Sequence, residues 1–117
     1  MMLKNKVILI TGSTNGIGAE TARRCVAEGA KVMIHGRQEE CAKKLVRELG
    51  DASSYLLADL MDENSYVYLI AETVKKFGRL DVLLNSAGVY RVHDISDVDE
   101  ETYDWMMNTN LKGTFFM

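Results

Sequence analysis

Eight residues near the start of the chain carry the densest chemistry in the sequence. The segment Thr11-Gly12-Ser13-Thr14-Asn15-Gly16-Ile17-Gly18 joins an apolar run to a helical pattern, the context in which a glycine-rich turn acquires meaning. Gly12 allows a tight turn, and Gly16 lets the backbone come close to a diphosphate. Gly18 removes a side chain where helix meets sheet. The helix that follows offers free N–H groups and the positive end of its dipole to an anion. Ser13 and Thr14 can add hydroxyl contacts, with Asn15 and Ile17 completing the turn. An ordinary strand-to-helix turn without a ligand is the weaker reading, because three glycines coincide with the one position where such a fold binds phosphates. A phosphate loop of the Gly-Lys-Ser/Thr kind is excluded, since Ile17-Gly18-Ala19 stands where the lysine would have to be.

Further along, Asn110 lies in a stripe of Tyr103, Met106, Met107, Leu111 and Thr114 at helical spacing. A buried amide costs roughly 1–3 kcal/mol if left unpaired. Asn110 is therefore either a satisfied core asparagine or part of a functional network. Trp105 and Phe116 fall on another side of the same helix, in a core or at an interface, and Met106 and Met107 read as packing. His35 and His93 read as ordinary strand-end and loop residues with no partner that can be named.

Short β-branched runs alternating with helical patterns must position these residues. Residues 6–11, 31–35, 55–58 and 80–84 read as strands, the first apolar on both faces, as a parallel sheet covered by helices requires. Residues 16–28 and 38–49 read as helices, stopped by Gly29 and Gly50. Asp62 is the expected N-cap of a third helix whose apolar face is Val67, Ile70, Ala71, Val74 and Phe77, with Gly78 ending it. Asp99 or Glu100 opens a fourth, running towards the C-terminus. Four strands alternating with four helices make an α/β fold, a doubly wound parallel sheet with right-handed crossovers.

The composition agrees. Of 117 residues, 47% are hydrophobic and 26% charged, near ordinary globular usage. A net charge of -3 argues against a nucleic-acid partner. No apolar run approaches the roughly 18 residues of a membrane helix, and Val7-Ile8-Leu9-Ile10 is short of a signal core of about 7–15. Cys25 and Cys41 fall in helical stretches without metal-ligand spacing, so no metal is expected and a reducing cytoplasm fits best.

The spacing Gly-x-x-x-Gly-x-Gly, with Thr11 before it and Ile17 inside, is followed by Asp59-Leu60, then Asn85-Ser86-Ala87-Gly88, then Asn110-Leu111-Lys112-Gly113. In that order the four motifs resemble the short-chain dehydrogenase/reductase family over essentially the whole chain. The resemblance implies a Rossmann-type domain, hydride transfer between a nicotinamide cofactor and a carbonyl/alcohol substrate, and a homo-oligomer in which the fourth helix meets its copy. It implies that Asp59 accepts from the adenine amino group, with Leu60 against the ring. Ala87 and Gly88 then stay small beside the ribose, while Asn85 ties neighbouring strands together. Ser86 departs from the family's usual second asparagine there. Asn110 matches the active-site asparagine, which helps to organise a water and proton path to a lysine. Tyr90 and Arg91 border the nicotinamide side or lie in a solvated loop.

NAD-binding members close the second strand with an acid that accepts from both ribose hydroxyls. Here that position is Gly36, followed by Arg37. A missing carboxylate and an added guanidinium favour a 2′-phosphate, so NADP is expected over NAD. Against this, Arg37 could be a solvated loop charge, and Asn15 stands where similar NADP enzymes often carry a base. The family's chemistry also needs a tyrosine with a lysine four places on, yet Tyr55, Tyr66, Tyr68, Tyr90 and Tyr103 all lack one. The expectation is that residues 1–117 form the N-terminal dinucleotide-binding part of one domain, without its catalytic half. That part alone would be inactive, with Val82, Leu83 and Leu84 on an open, self-associating edge. A non-catalytic nucleotide-binding module is the alternative. A methyltransferase would want an acid at the second strand's end, where Gly36-Arg37 supplies none.

Overall fold

The computed structural model describes residues 1–117. Four parallel strands, β1 (Val7–Thr11), β2 (Lys31–Gly36), β3 (Ser53–Leu57) and β4 (Val82–Asn85), lie in the order β3-β2-β1-β4. Helices α1 (Gly16–Ala27), α2 (Glu39–Leu49) and α3 (Asn64–Phe77) connect them. After β4 come α4 (Glu100–Met107), a π-helical turn at Asn108–Lys112, and α5 (Gly113–Phe116). The doubly wound α/β reading holds. β1 has β2 on one side and β4 on the other, which makes it the strand where the winding reverses and a crevice opens at the carboxyl ends.

Alternation along the strands explains why both faces are covered. Ile8, Ile10, Val32 and Ile34 point to one side and pack with Ala19 and Ala22 of α1 and Leu45 of α2. Leu9 and Met33 point to the other and pack with Leu60 and with Leu69 of α3. The sheet is thus buried on both sides, and its central strands can be apolar throughout. Two further ties fix the register of β4 against β1. The Asp81 carboxylate accepts from the Val7 amide at 2.9 Å, and the Thr11 hydroxyl oxygen accepts from the Ser86 and Ala87 amides, each at 3.2 Å.

Three details of the helices depart from the sequence reading. α3 begins at Asn64 rather than behind an Asp62 cap. Asp62 spends Oδ1 on the amide of Asn64, two residues on, in the local turn that aspartate favours, and Glu63 holds the cap position without a side-chain bond. Nor is the buried face of α3 the valine stripe. It is Ser65, Leu69 and Thr73, while Val67 is 75% exposed. Thr73 can face inward because its hydroxyl donates to the Leu69 carbonyl at 2.7 Å. In the last helical stretch the inward residues are Thr102, Thr109 and Gly113. Tyr103, Leu111 and Asn110 are exposed, because the inward row is already set by Thr102, ahead of the π turn, and continues through Thr109. The expected N-cap of α4 is present: Asp99 accepts from the Thr102 amide at 2.7 Å.

Candidate functional site

A cavity of about 590 Å³ opens at the carboxyl ends of the strands, walled by the β1–α1 loop, the ends of β2 and β3, and the segment after β4. The loop's shape depends on its glycines. Gly12 has φ +60°, and a Cβ there would come within 2.5 Å of the Ala87 backbone. Gly16 has φ +58°, and no atom lies within 4 Å of where its Cβ would be, so the backbone is bare towards the cavity. Gly18 is tight for a different reason from the one expected: a Cβ would overlap the carbonyl of Gly12 in its own loop. Asn15, extended at the N-cap of α1, makes no side-chain cap bond. The amides of the first turn therefore remain available to an anion.

The floor of the loop is a network the sequence did not disclose. Ser13 was expected to offer its hydroxyl to a ligand, yet it is fully buried. Its hydroxyl donates to the Ile10 carbonyl at 2.7 Å and accepts from the His35 amide at 2.9 Å. His35, only 3% exposed, is not the unattached strand-end residue it resembled. Its Nδ1 accepts from the Gly12 amide at 2.9 Å, and its Nε2 lies 2.8 Å from the Ala58 carbonyl. Burial holds its pKa below the ordinary value of 6.5, reinforced by Arg37 and opposed by the Ala58 bond and by Asp59.

Beyond His35 the wall turns to the expected pair of positions. Gly36 is buried, and a Cβ on it would overlap the Thr14 side chain. Arg37 follows, exposed, as the one cation among the lining residues, with Asp59 the one carboxylate. Asp59 uses Oδ1 on the Met61 amide at 3.0 Å, and Leu60 beside it is buried. Thr109 also lines the cavity; its hydroxyl is buried without a partner. A buried polar atom of that kind wants a ligand or a water. Sequence periodicity gave no signal for it.

Gly12, Thr14, Asn15, Gly16, Ile17 and Gly18 come together in this cavity, as do Arg37, Asp59, Leu60, Ala87 and Gly88. Ser13, Asn85 and Asn110 do not line it. Asn85 was expected to tie the strands, but it is exposed, and Thr11 makes that tie from the other strand. Asn110 is exposed rather than mid-core, and its side chain grips the backbone of Val89. Its Oδ1 accepts from the Val89 amide at 2.7 Å and its Nδ2 donates to the Val89 carbonyl at 2.6 Å. The guanidinium of Arg91 sits 4.6 Å over the Trp105 ring, a second tie from the segment after β4 to α4. No helix is long and apolar enough to cross a membrane, and no cluster of His, Cys, Asp and Glu could hold a metal ion.

The family described as short chain dehydrogenase matches residues 6–117. Short-chain dehydrogenase reductase 5 of Arabidopsis thaliana is 41% identical over 113 residues, covering 95% of this chain and 44% of that protein. Sorbitol dehydrogenase of Cereibacter sphaeroides is 36% identical over 117 residues, covering 100% of this chain and 46% of its own length. Among solved structures, 3-ketoacyl-(acyl-carrier-protein) reductase from Brucella melitensis complexed with NADH superposes with a TM-score of 0.93 at 34% identity, covering 98% of this chain and 48% of that one. The chain spans about half the length of the relatives it matches.

Proposed function

The chain belongs to the short-chain dehydrogenase family, and from that premise we propose that residues 1–117 are the dinucleotide-binding part of an NADP(H)-dependent oxidoreductase. Bound here, the nicotinamide would supply the hydride exchanged with a small carbonyl/alcohol substrate. The observation that carries the reading is the bare backbone at Gly16 beside the uncapped first turn of α1. An anion can approach that backbone with no side chain in the way, and three walls of matching chemistry surround it.

The residues then divide the work. The open amides at the start of α1 hold the diphosphate by direct hydrogen bonds and by the helix dipole. The free oxygen of Asp59 accepts from the adenine amino group, Leu60 backs that wall from the core, and the unpartnered Thr109 hydroxyl has capacity for a further bond in the cavity. Ala87 and Gly88 leave room for the ribose near the end of β4. Asn110 holds Val89 and so shapes the far rim of the cavity. Its part in proton handling belongs to the same proposal.

Support for NADP over NAD comes from position 36. A carboxylate there would have to displace Thr14, while Arg37 stands exposed at the cavity with no acidic partner within ion-pair distance. A guanidinium meeting a 2′-phosphate makes charge-assisted, bidentate bonds. Calorimetry with NADPH and NADH should show NADPH binding more tightly. Arg37→Asp should weaken NADPH by about ten- to a hundredfold, the loss of roughly 1.5–3 kcal/mol, and leave NADH little changed. Equal affinity for NADPH in both proteins would refute the NADP assignment, and no heat with either coenzyme would refute the site itself. The sequence has no Tyr-x-x-x-Lys pair. The expected result with any carbonyl substrate is therefore binding without turnover, which is also how a purely nucleotide-binding module would behave.

A further inference from the structure

The His35 ring touches both walls of the cavity floor. Gly12 can only donate through its amide and Ala58 can only accept through its carbonyl. With the two groups 2.9 Å and 2.8 Å from opposite ring nitrogens, the tautomer is fixed: Nδ1 accepts and Nε2–H donates. The backbone of His35 adds two more bonds, its amide donating to the Ser13 hydroxyl and its carbonyl accepting from the Ser13 amide at 2.8 Å. Four bonds thus tie the diphosphate-facing loop, β2 and the end of β3 to a single buried residue.

We infer that His35 is a positioning residue of the dinucleotide site: its neutral ring sets the spacing between the Gly12 loop and the end of β3, and proton uptake by that ring loosens the loop and weakens the cofactor. The inference rests on the proposed dinucleotide site and adds a dependence on protons to it.

A second ring proton would place an N–H on Nδ1 against the N–H of Gly12. That bond is lost, and with His35 only 3% exposed water has little room to replace it. The charged groups around the ring are Arg37 after β2, which opposes the imidazolium, and Asp59 after β3, which favours it. The β1–α1 loop and the Asn85–Gly88 segment carry no titratable side chain. The strain has nowhere soft to go, because Gly12 already sits against the Ala87 backbone. Movement of the loop therefore disturbs the wall after β4 as well. Burial makes the ring reluctant to charge, so the site stays assembled at neutral pH and loosens only on acidification.

The probe is ADP-ribose, whose diphosphate charge is constant over the range and which lacks a 2′-phosphate. Titrated into the 117-residue chain by calorimetry from pH 8.0 to 5.5, it should bind with constant Kd above pH 6.5. As the pH falls through the ring's lowered folded value, the Kd should rise, by up to about tenfold per pH unit for a single coupled proton. His35→Asn, whose Oδ1 can still accept from Gly12 but does not titrate, should give a flat profile. Parallel profiles in the two proteins would overturn the inference. A second measurement needs neither variant nor ligand. Proton–nitrogen NMR of the imidazole should show the proton on Nε2 at pH 7.5 and a Gly12 amide resonance that shifts with the titration of His35. A proton on Nδ1, or a Gly12 amide blind to that titration, would equally overturn it. Absence of any ADP-ribose binding at pH 8.0 would instead refute the dinucleotide site, with the NMR experiment still judging the brace by itself.

Discussion

Position 36 shows how one absent side chain shapes a site. Because a Cβ on Gly36 would overlap the Thr14 side chain, Gly36→Asp should both crowd the loop and bring a carboxylate beside the nucleotide. We expect it to lower stability by about 1–3 kcal/mol through overpacking, measured by thermal melting, with Thr14→Gly in the same chain recovering part of the loss. If the two substitutions destabilise additively, the crowding argument fails. His35 supplies a prediction of the opposite kind. Its folded pKa is lowered from the ordinary 6.5 by burial, so between the two values the unfolded chain binds a proton that the folded chain does not. Its contribution is complete above pH 6.5 and is lost as pH falls through the folded value. Denaturant midpoints should therefore drop between pH 7 and pH 5 in the wild type and less so in His35→Asn. The glycines of the loop were legible in the sequence because their type and spacing are themselves the signal. His35 was not, since both of its ring partners lie 23 residues away along the chain, one on each side, and only the assembled sheet brings them together.

At the scale of elements, periodicity located the four strands and the main helices but misjudged which face of α3 and of the last helical stretch turns inward. α3 carries two rows that compete. Val67, Ile70, Ala71 and Val74 look apolar on paper, whereas Ser65, Leu69 and Thr73 form the row that is buried. A hydroxyl that bonds its own helix loses its polar character, and Thr73 does so; composition cannot reveal that bond. Leu69→Ala should thus cost about 2–5 kcal/mol, while Val67→Ala should fall within about 0.5 kcal/mol of wild type, both read from urea denaturation. The reverse order would restore the valine stripe as the core face. Thr11 offers a test of how β4 is held. Thr11→Val keeps the volume and removes the oxygen that accepts from Ser86 and Ala87, leaving two amides short of a partner. A loss of roughly 1–3 kcal/mol is expected, with the segment after β4 gaining hydrogen exchange first.

For the molecule as a whole, the open side of β4 dominates. The strand pairs with β1 alone, and Val82 is 42% exposed. A second apolar surface lies between Tyr66, Val67 and Ile70 of α3 and Phe116 of α5, where the Tyr66 and Phe116 rings stack at 6.1 Å. Unpaired strand edges and apolar patches promote association. Sedimentation velocity should show a weight-average mass rising with protein concentration, and Val82→Lys should reduce the rise. A single species of constant mass at all concentrations would refute this. The fold class was legible at this scale because the order of elements alone prescribes a doubly wound sheet. What no periodic pattern encodes is the single step of π geometry in the last helix.

That step at Asn108–Lys112 amounts to one surplus residue threaded into a helix. Excising Leu111 would let the stretch rewind as an uninterrupted α spiral with everything downstream still facing the same way, because the wide turn holds an extra residue without extra rotation. Phe116 would stay on Tyr66 while the remainder of the polypeptide kept its shape. A wide turn of this kind lets a helix absorb a one-residue change in length while its tail stays aimed at the same neighbours, with no change to the sheet beneath it.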